Sequence, residues 1–207
     1  MNNRFFNLDK QNQKLILNSA FKAFTDIPYE KASTNVIVKE ANISKGKLFY
    51  YFKNKETLFN ALIDISIHYV KTHYIDLMTF DERDFLKRYS KISMIKKKAY
   101  DEEPHLFAFI GYAYLKEAHR MSDDQRRLIK TYQTYAKDKL KENIDTSLFR
   151  SDIEAKTVMK LLQYSLDGYQ NELTESCKHL NMQKTDMAPY YKDYESFLQT
   201  LRKIYYK

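Results

Sequence analysis

A chain of 207 residues with a formal net charge of +8 can bury one substantial core, or one core with a smaller companion. It has only three glycines and three prolines, too few for the many tight turns of a sheet protein, and its 35 basic residues stand against 27 acidic ones, which excludes a featureless polycation. A single cysteine, Cys177, excludes an internal disulfide and fits a reducing cytosol. No run of about eighteen apolar residues offers a membrane span, and the opening MNNRFFNLDKQNQK lacks the apolar segment of a signal peptide. The expectation is an all-α, cytoplasmic protein of about nine helices.

In chain order, the first helix is predicted over about 9–26, with Leu17, Ala20, Phe21 and Phe24 spaced to share a buried face. Pro28 ends it by driving Ile27 out of the helical region. Ser33 can cap a short helix of about 33–41, and Asn42, a residue type that tolerates the left-handed conformation, sits in the four-residue turn ANIS that follows. Ser44 can cap a third helix of about 44–51, and Asn54 a fourth of about 54–77 carrying Leu58, Leu62, Ile65 and Tyr69 as an apolar stripe. Beyond it, TFDERD and DEEP read as connections, while SDDQ at 122–125 and SDIE at 151–154 have the spacing of a capping box. Five further helices are predicted near 82–100, 104–120, 123–143, 152–178 and 187–206.

Charge is unevenly spread along this pattern. Residues 1–60 hold ten Lys/Arg against five Asp/Glu, and residues 44–55 contain Lys45, Lys47, Lys53 and Lys55 with no acid at all. That concentration points to an anionic partner, nucleic acid before membrane. A helix, a turn and a helix between flanking helices is the layout of a helix-turn-helix, whose second helix enters the major groove. Each element of EANISKGKLFYYFKNKETLF then has a physical use. Gly46 lets the backbone approach a duplex, Lys45 and Lys47 neutralise phosphates or reach guanine acceptors, and Lys55 lies at the first turn of the next helix, where backbone amides also favour an anion. Helical geometry cannot bury all four rings of FYYF together. The i+3 and i+4 spacings assign Leu48, Phe49 and Phe52 to the core and leave Tyr50 and Tyr51 nearer the surface, suited to sugar, thymine methyl or phosphate.

The segment STNVIVKEANISKGKLFYYFKNKETLF resembles the DNA-binding signature of the TetR family of bacterial transcriptional regulators, in which SKGxLYxxFxxKExL recurs. The resemblance covers about 27 residues. It implies that Ser33, Ser44, Lys45, Gly46, Lys47, Tyr50, Tyr51 and Lys55 lie at DNA-contacting positions, in a helix-turn-helix domain of residues 1–53 followed by a helical effector-binding and dimerisation domain of 54–207. Phe49 stands where the family usually has tyrosine, Asn42 replaces the usual turn glycine, Pro28 replaces a glycine after the first helix, and Lys47 stands where Thr or Asn is more frequent. The resemblance further implies a double-stranded DNA operator, a homodimer and a small-molecule effector that lowers DNA affinity.

The remaining chain carries candidate surfaces for those partners. Val158, Leu161, Leu162, Ser165, Leu166 and Tyr169 form one apolar stripe, and Tyr190, Tyr194, Phe197, Leu198, Leu201 and Tyr205 another, which places the expected homodimer through about 152–206. Phe107, Phe109, Tyr112 and Tyr114 surround Gly111 on a helix expected to be well buried, as core or as the border of a cavity whose aromatic lining would suit a flat or cationic compound. His68, His73, His105 and His119 form no HxxxH or HExxH pattern, and Cys177 with His179 is too small a set for a closed metal site. No nucleophile and base, phosphate-cradling loop or metal motif supports an enzyme or a cofactor. Two readings stay open: a ligand-responsive, sequence-specific regulator acting as a repressor, and an effector-independent DNA-binding or architectural protein.

Overall fold

The computed structural model describes residues 3–180 and 184–207, with the side chains of Asn3 and His179 left aside. Among them are ten α-helices, nine of seven residues or more, and no strand; an isolated bridge pairs Phe149 with Tyr206. The helices fall into two compact units. One takes in the residues through Lys71 together with Glu102–Ile129; the other takes in Thr72–Asp101, Lys130–Leu180 and Thr185–Lys207.

The first unit begins with a short helix that the sequence pattern did not predict, α1 (Asn3–Phe6). Asp9 then caps α2 (Lys10–Asp26), accepting from the Asn12 amide at 2.9 Å. The buried face of α2 is carried by Ile16, Ala20, Phe21, Ala23 and Phe24, with Leu17 only half-buried. Ile27 is extended ahead of Pro28, as the proline requires. A 3-10 turn, Tyr29–Lys31, leads into α3 (Thr34–Glu40), α4 (Lys45–Phe52) and α5 (Lys55–His73).

Helix α5 stops four residues short of the predicted 77 because Tyr74 leaves the helical region; a 3-10 turn over Ile75–Leu77 follows. Leu58 and Leu62 of its predicted stripe are buried, whereas Ile65 and Tyr69 are half-buried. Farther along the chain come α6 (Phe85–Glu102), α7 (Pro104–Lys116) and α8 (Asp123–Lys139). Helix α7 buries Leu106, Ala108, Phe109, Tyr112 and Ala113. Its Phe109 is fully buried, 5.3 Å from the ring of Phe21 and 5.2 Å from that of Phe59, so this ring is core; Tyr114 is exposed. The capping box at 122–125 forms in both directions, Ser122 N to Gln125 Oε1 at 3.0 Å and Gln125 N to Ser122 Oγ at 3.2 Å.

The second unit holds most of α6, the later part of α8, α9 (Ala155–His179) and α10 (Ala188–Tyr205). Phe85, Leu86, Phe149, Val158, Leu162, Leu166, Leu198, Leu201 and Tyr206 form its core. The expected capping box at 151–154 is corrected: Glu154 takes the N-cap position with no side-chain cap bond, and the preceding turn is held by Arg150 bonded to Asp152 at 2.6 and 2.7 Å. Of the two apolar stripes, Val158, Leu162, Leu166, Leu198 and Leu201 are buried, while Leu161 is exposed.

Arg88 is fully buried, yet its guanidinium donates to five backbone carbonyls, those of Phe80, Glu82, Lys139, Leu140 and Glu142, at 2.6–3.2 Å. Three of these belong to the end of α8 and the turn beyond it, where orphaned carbonyls favour a cation. Asp84 is similarly engaged, by Arg202 at 2.6 Å and by the Tyr206 hydroxyl at 3.0 Å.

Candidate nucleic-acid interface

The turn between α3 and α4 is built by backbone bonds that end one helix and side-chain bonds that start the next. Ser33 Oγ accepts from Asn35 N at 3.2 Å and caps α3. At its other end Ile43 N donates to Val38 O at 3.0 Å and Asn42 N to Lys39 O at 3.3 Å, the paired bonds of a Schellman motif. Asn42 supplies the left-handed residue this needs, at φ 50°. Ser44 Oγ then accepts from Lys47 N at 3.1 Å and starts α4, and Asn54 Oδ1 accepts from Thr57 N at 2.8 Å to start α5.

This punctuation fixes which side of α4 faces outward. Ser44, Lys45, Gly46, Lys47 and Tyr50 are exposed together, Tyr50 by 53%, while Leu48 and Phe52 are sunk in the core. A Cβ built on Gly46 would meet nothing closer than Ser44 Oγ at 3.9 Å, so packing within the chain does not require glycine there.

Two of the expectations for the aromatic run are overturned. Tyr51, expected nearer the surface, is 6% exposed, and Phe49, expected in the core, is half-buried. The reason is α1: its Phe5 ring lies 5.9 Å from Tyr51 and 5.0 Å from Phe52, covering a side of α4 that a helix-turn-helix beginning at residue 9 would leave open. The same segment brings Arg4 over the Tyr50 ring, 4.8 Å from its centre, which adds a cation beside the exposed face. The only trace of Arg4 in the sequence is a cation beside the two rings of RFF.

Lys55 lies at the first turn of α5 but is engaged within the chain, its Nζ 4.4 Å from the centre of the Tyr29 ring and 3.2 Å from Glu30 O. Arg120 also stands over Tyr29, at 3.9 Å, and pairs with Glu30 and with Glu117. Tyr112 completes this clasp, its hydroxyl donating to Glu117 Oε1 at 2.6 Å and accepting from Tyr29 N at 3.0 Å. Burial alone would raise the Glu117 carboxyl, but the bonds from Tyr112 and Arg120 outweigh it and hold it below the ordinary range. The linker from α2 to α3 is thereby tied to α7 and to the 3-10 turn Ala118–Arg120.

Residues 16–62, which span α3, the turn after it, α4 and the start of α5, match the profile of "Bacterial regulatory proteins, tetR family". The chain carries a TetR-family DNA-binding domain. The chain is 42% identical over 50 residues to an uncharacterised HTH-type transcriptional regulator, YhgD, of Bacillus subtilis, covering 24% of this chain and 26% of that protein. It is 33% identical over 54 residues to the A-factor receptor protein of Streptomyces griseus, covering 26% and 20%. These matches thus span about a quarter or less of the relatives' own length.

The likeness in fold reaches much farther. A TetR-family transcriptional regulator from Chloroflexus aurantiacus superposes with a TM-score of 0.65 over 100% of this chain and 98% of its own, at 19% identity. The ketosteroid transcriptional regulator KstR2 of Mycobacterium tuberculosis gives 0.63 over 97% of each, at 17% identity. The likeness to TetR-family folds therefore extends over both units, while the family profile matches residues 16–62. Among the described residues no helix is long and apolar enough to cross a membrane, and no three His, Cys, Asp or Glu side chains gather as a metal site. The side chain of His179, set beside Cys177 above, lies outside what is described.

Proposed function

We propose that this protein is a ligand-responsive, sequence-specific transcriptional regulator of the bacterial cytoplasm, not an enzyme, and that it acts as a repressor released from its operator by a small molecule. The observation that carries the reading is the joint exposure of Ser44, Lys45, Gly46, Lys47 and Tyr50 at the start of α4, on a helix whose opposite side is anchored by Leu48 and Phe52. Such a helix can enter a major groove without unfolding its support.

In this reading residues 1–53 form the reading domain and 54–207 the effector-binding and dimerising part. Lys45 and Lys47 take phosphates or guanine edges, and Tyr50 takes a sugar or phosphate. Ser33 and Ser44 present their helix starts to the backbone, and Lys55 supplies a phosphate contact from beside Tyr29. Tyr51 contributes by holding α4 in place on Phe5. The homodimer forms through about 152–206, where Leu161, Tyr164 and Ile204 remain exposed in the single chain. An effector favours one of two spacings of the paired reading helices, and so shifts affinity by population.

Selection from a random duplex library by the purified protein tests this. The expected result is enrichment of a two-fold symmetric sequence whose half-sites lie one or more duplex turns apart. Recovery of duplexes with no shared sequence would contradict it and favour an architectural role. Sedimentation at micromolar concentration should show a dimer; a 24.9 kDa species alone would contradict the dimer.

A further inference from the structure

Helix α1 lies ahead of residues 16–62, so the likeness to the family assigns it no role. A helix of four residues cannot hold itself, since fixing its backbone costs more than its bonds return. Side chains of the first unit hold it instead. The Phe5 ring is fully buried, 5.0 Å from Phe52 and 5.9 Å from Tyr51 of α4. Gln13 of α2, itself only 7% exposed, donates through its side-chain amide to Phe6 O at 3.0 Å and to Leu8 O at 2.6 Å, which closes the turn between α1 and α2. Leu8 N adds a bond to Phe5 O at 3.2 Å.

Anchoring Phe5 fixes where its neighbour stands. Arg4 is exposed, and its guanidinium carbon lies 4.8 Å from the centre of the Tyr50 ring, on the outward side of α4. A guanidinium set over a ring engages its face, while its N–H groups point outward in its own plane. The fork that matches two phosphate oxygens therefore stays available, held by a ring that is itself part of the reading face.

Position along α4 selects phosphate over base. Base edges are met by side chains at the N-terminal end of a recognition helix, which here is Ser44 to Lys47. Arg4 comes from a separate element and meets α4 at Tyr50, more than a turn beyond Lys45. A cation at that flank of a helix lying in the groove faces the sugar-phosphate wall, where contacts set register without reading sequence.

We propose that α1 is part of the DNA interface: Arg4 and Tyr50 form one composite site for a backbone phosphate, Arg4 donating to its oxygens and the Tyr50 ring carrying the guanidinium, with Phe5 positioning the pair. The inference rests on the reading that the outward side of α4 enters the groove, and adds a contact from an element outside the helix-turn-helix.

The test is the salt dependence of binding, by anisotropy titration of the full chain with operator and scrambled duplexes. Arg4→Gln removes the charge and keeps the Phe5 anchor, so circular dichroism and melting should not change. Both duplexes should bind about tenfold more weakly at low salt, as for loss of a charged hydrogen bond. The slope of log affinity against log salt should fall by about one for each subunit bound. Arg4→Lys should restore the slope and only part of the affinity, because an ammonium lacks the planar fork. Arg4→Gln combined with Tyr50→Ala should weaken binding by less than the product of the two single effects. Phe5→Leu, which keeps an apolar anchor, should retain the parent slope, and Phe5→Ala should lower it as Arg4→Gln does.

A parent slope in Arg4→Gln would overturn the proposal. A loss confined to the operator would make Arg4 a reader of bases and overturn the phosphate assignment, and multiplicative effects of Arg4→Gln and Tyr50→Ala would overturn the composite site. A parent slope in Phe5→Ala would remove Phe5 as the positioning residue. The underlying reading fails separately: equal binding of both duplexes by the parent protein, with the slope still falling in Arg4→Gln, would refute sequence-specific reading and keep the phosphate site.

Discussion

The aromatic residues of the two units differ in how completely their hydroxyls are bonded. In the first, Phe21, Phe24, Tyr29, Phe59 and Phe109 meet ring against ring at 4.9–6.4 Å, and the Tyr112 hydroxyl beside them is bonded on both its donor and acceptor sides. In the second, Tyr169 and Tyr206 also meet other rings and donate to Asp193 and Asp84, whereas the half-exposed Tyr74, Tyr89, Tyr191 and Tyr194 have hydroxyls that bond to no described residue. Rings that complete one another make a stiff support for a helix that must hold its angle on DNA.

The largest effect that follows is on stability. Phe109→Ala should cost about 3–5 kcal/mol in denaturant unfolding, since a fully buried ring surrounded by others leaves a cavity that cannot collapse. A change under about 1 kcal/mol would mean that the rings of the first unit do not act as one core.

Hydroxyl removal sharpens the contrast. Tyr112→Phe strands the Tyr29 amide and the Glu117 carboxylate and should cost about 1–3 kcal/mol, whereas Tyr194→Phe should cost nothing measurable. The first of these also has a pH signature. Because Glu117 is held below its ordinary value of 4.5 in the folded protein, its contribution is complete above that pH and is lost as pH falls through the lowered folded value. With one lowering bond removed, Tyr112→Phe should show a shallower loss of stability on the acid side than the parent protein.

Smaller effects concern the reading face. Tyr50→Ala should weaken operator binding by about 1 kcal/mol, roughly fivefold, with the circular dichroism of the protein unchanged, because the ring is 53% exposed and supports no core. Unchanged binding would remove Tyr50 from the interface. Lys55→Met should weaken binding to all duplexes alike and lower the salt slope by about one. It should also cost about 0.5–1 kcal/mol of stability through loss of the cation over Tyr29, and an unaltered salt slope would assign Lys55 to that internal role alone.

Much of this architecture was legible in the sequence because local chemistry sets helix ends. Pro28, Ser33, Asn42, Ser44, Asn54 and the Ser122/Gln125 pair each act within four residues of themselves, and each stands where its chemistry placed it. What escaped was long-range. Nothing in FYYF announces that Phe5 will cover Tyr51, since periodicity tells which residues share a face and not what lies against it. The bonds at Ser151 and Glu154 failed for a related reason: the spacing was right, but the Arg150–Asp152 pair holds the turn and α9 starts at Ala155. Arg88 and Lys96 look alike in sequence, two cations on one helix, yet the first is fully buried among backbone carbonyls and the second is exposed.

The central claim, that the outward side of α4 reads a DNA sequence, is tested most directly by fluorescence anisotropy with a labelled duplex carrying the selected operator, competed by a scrambled duplex at fixed salt. The account predicts that the scrambled duplex competes at least about a thousandfold less well than the operator. Equal competition by both duplexes would contradict it and leave a protein that holds DNA only by its phosphates.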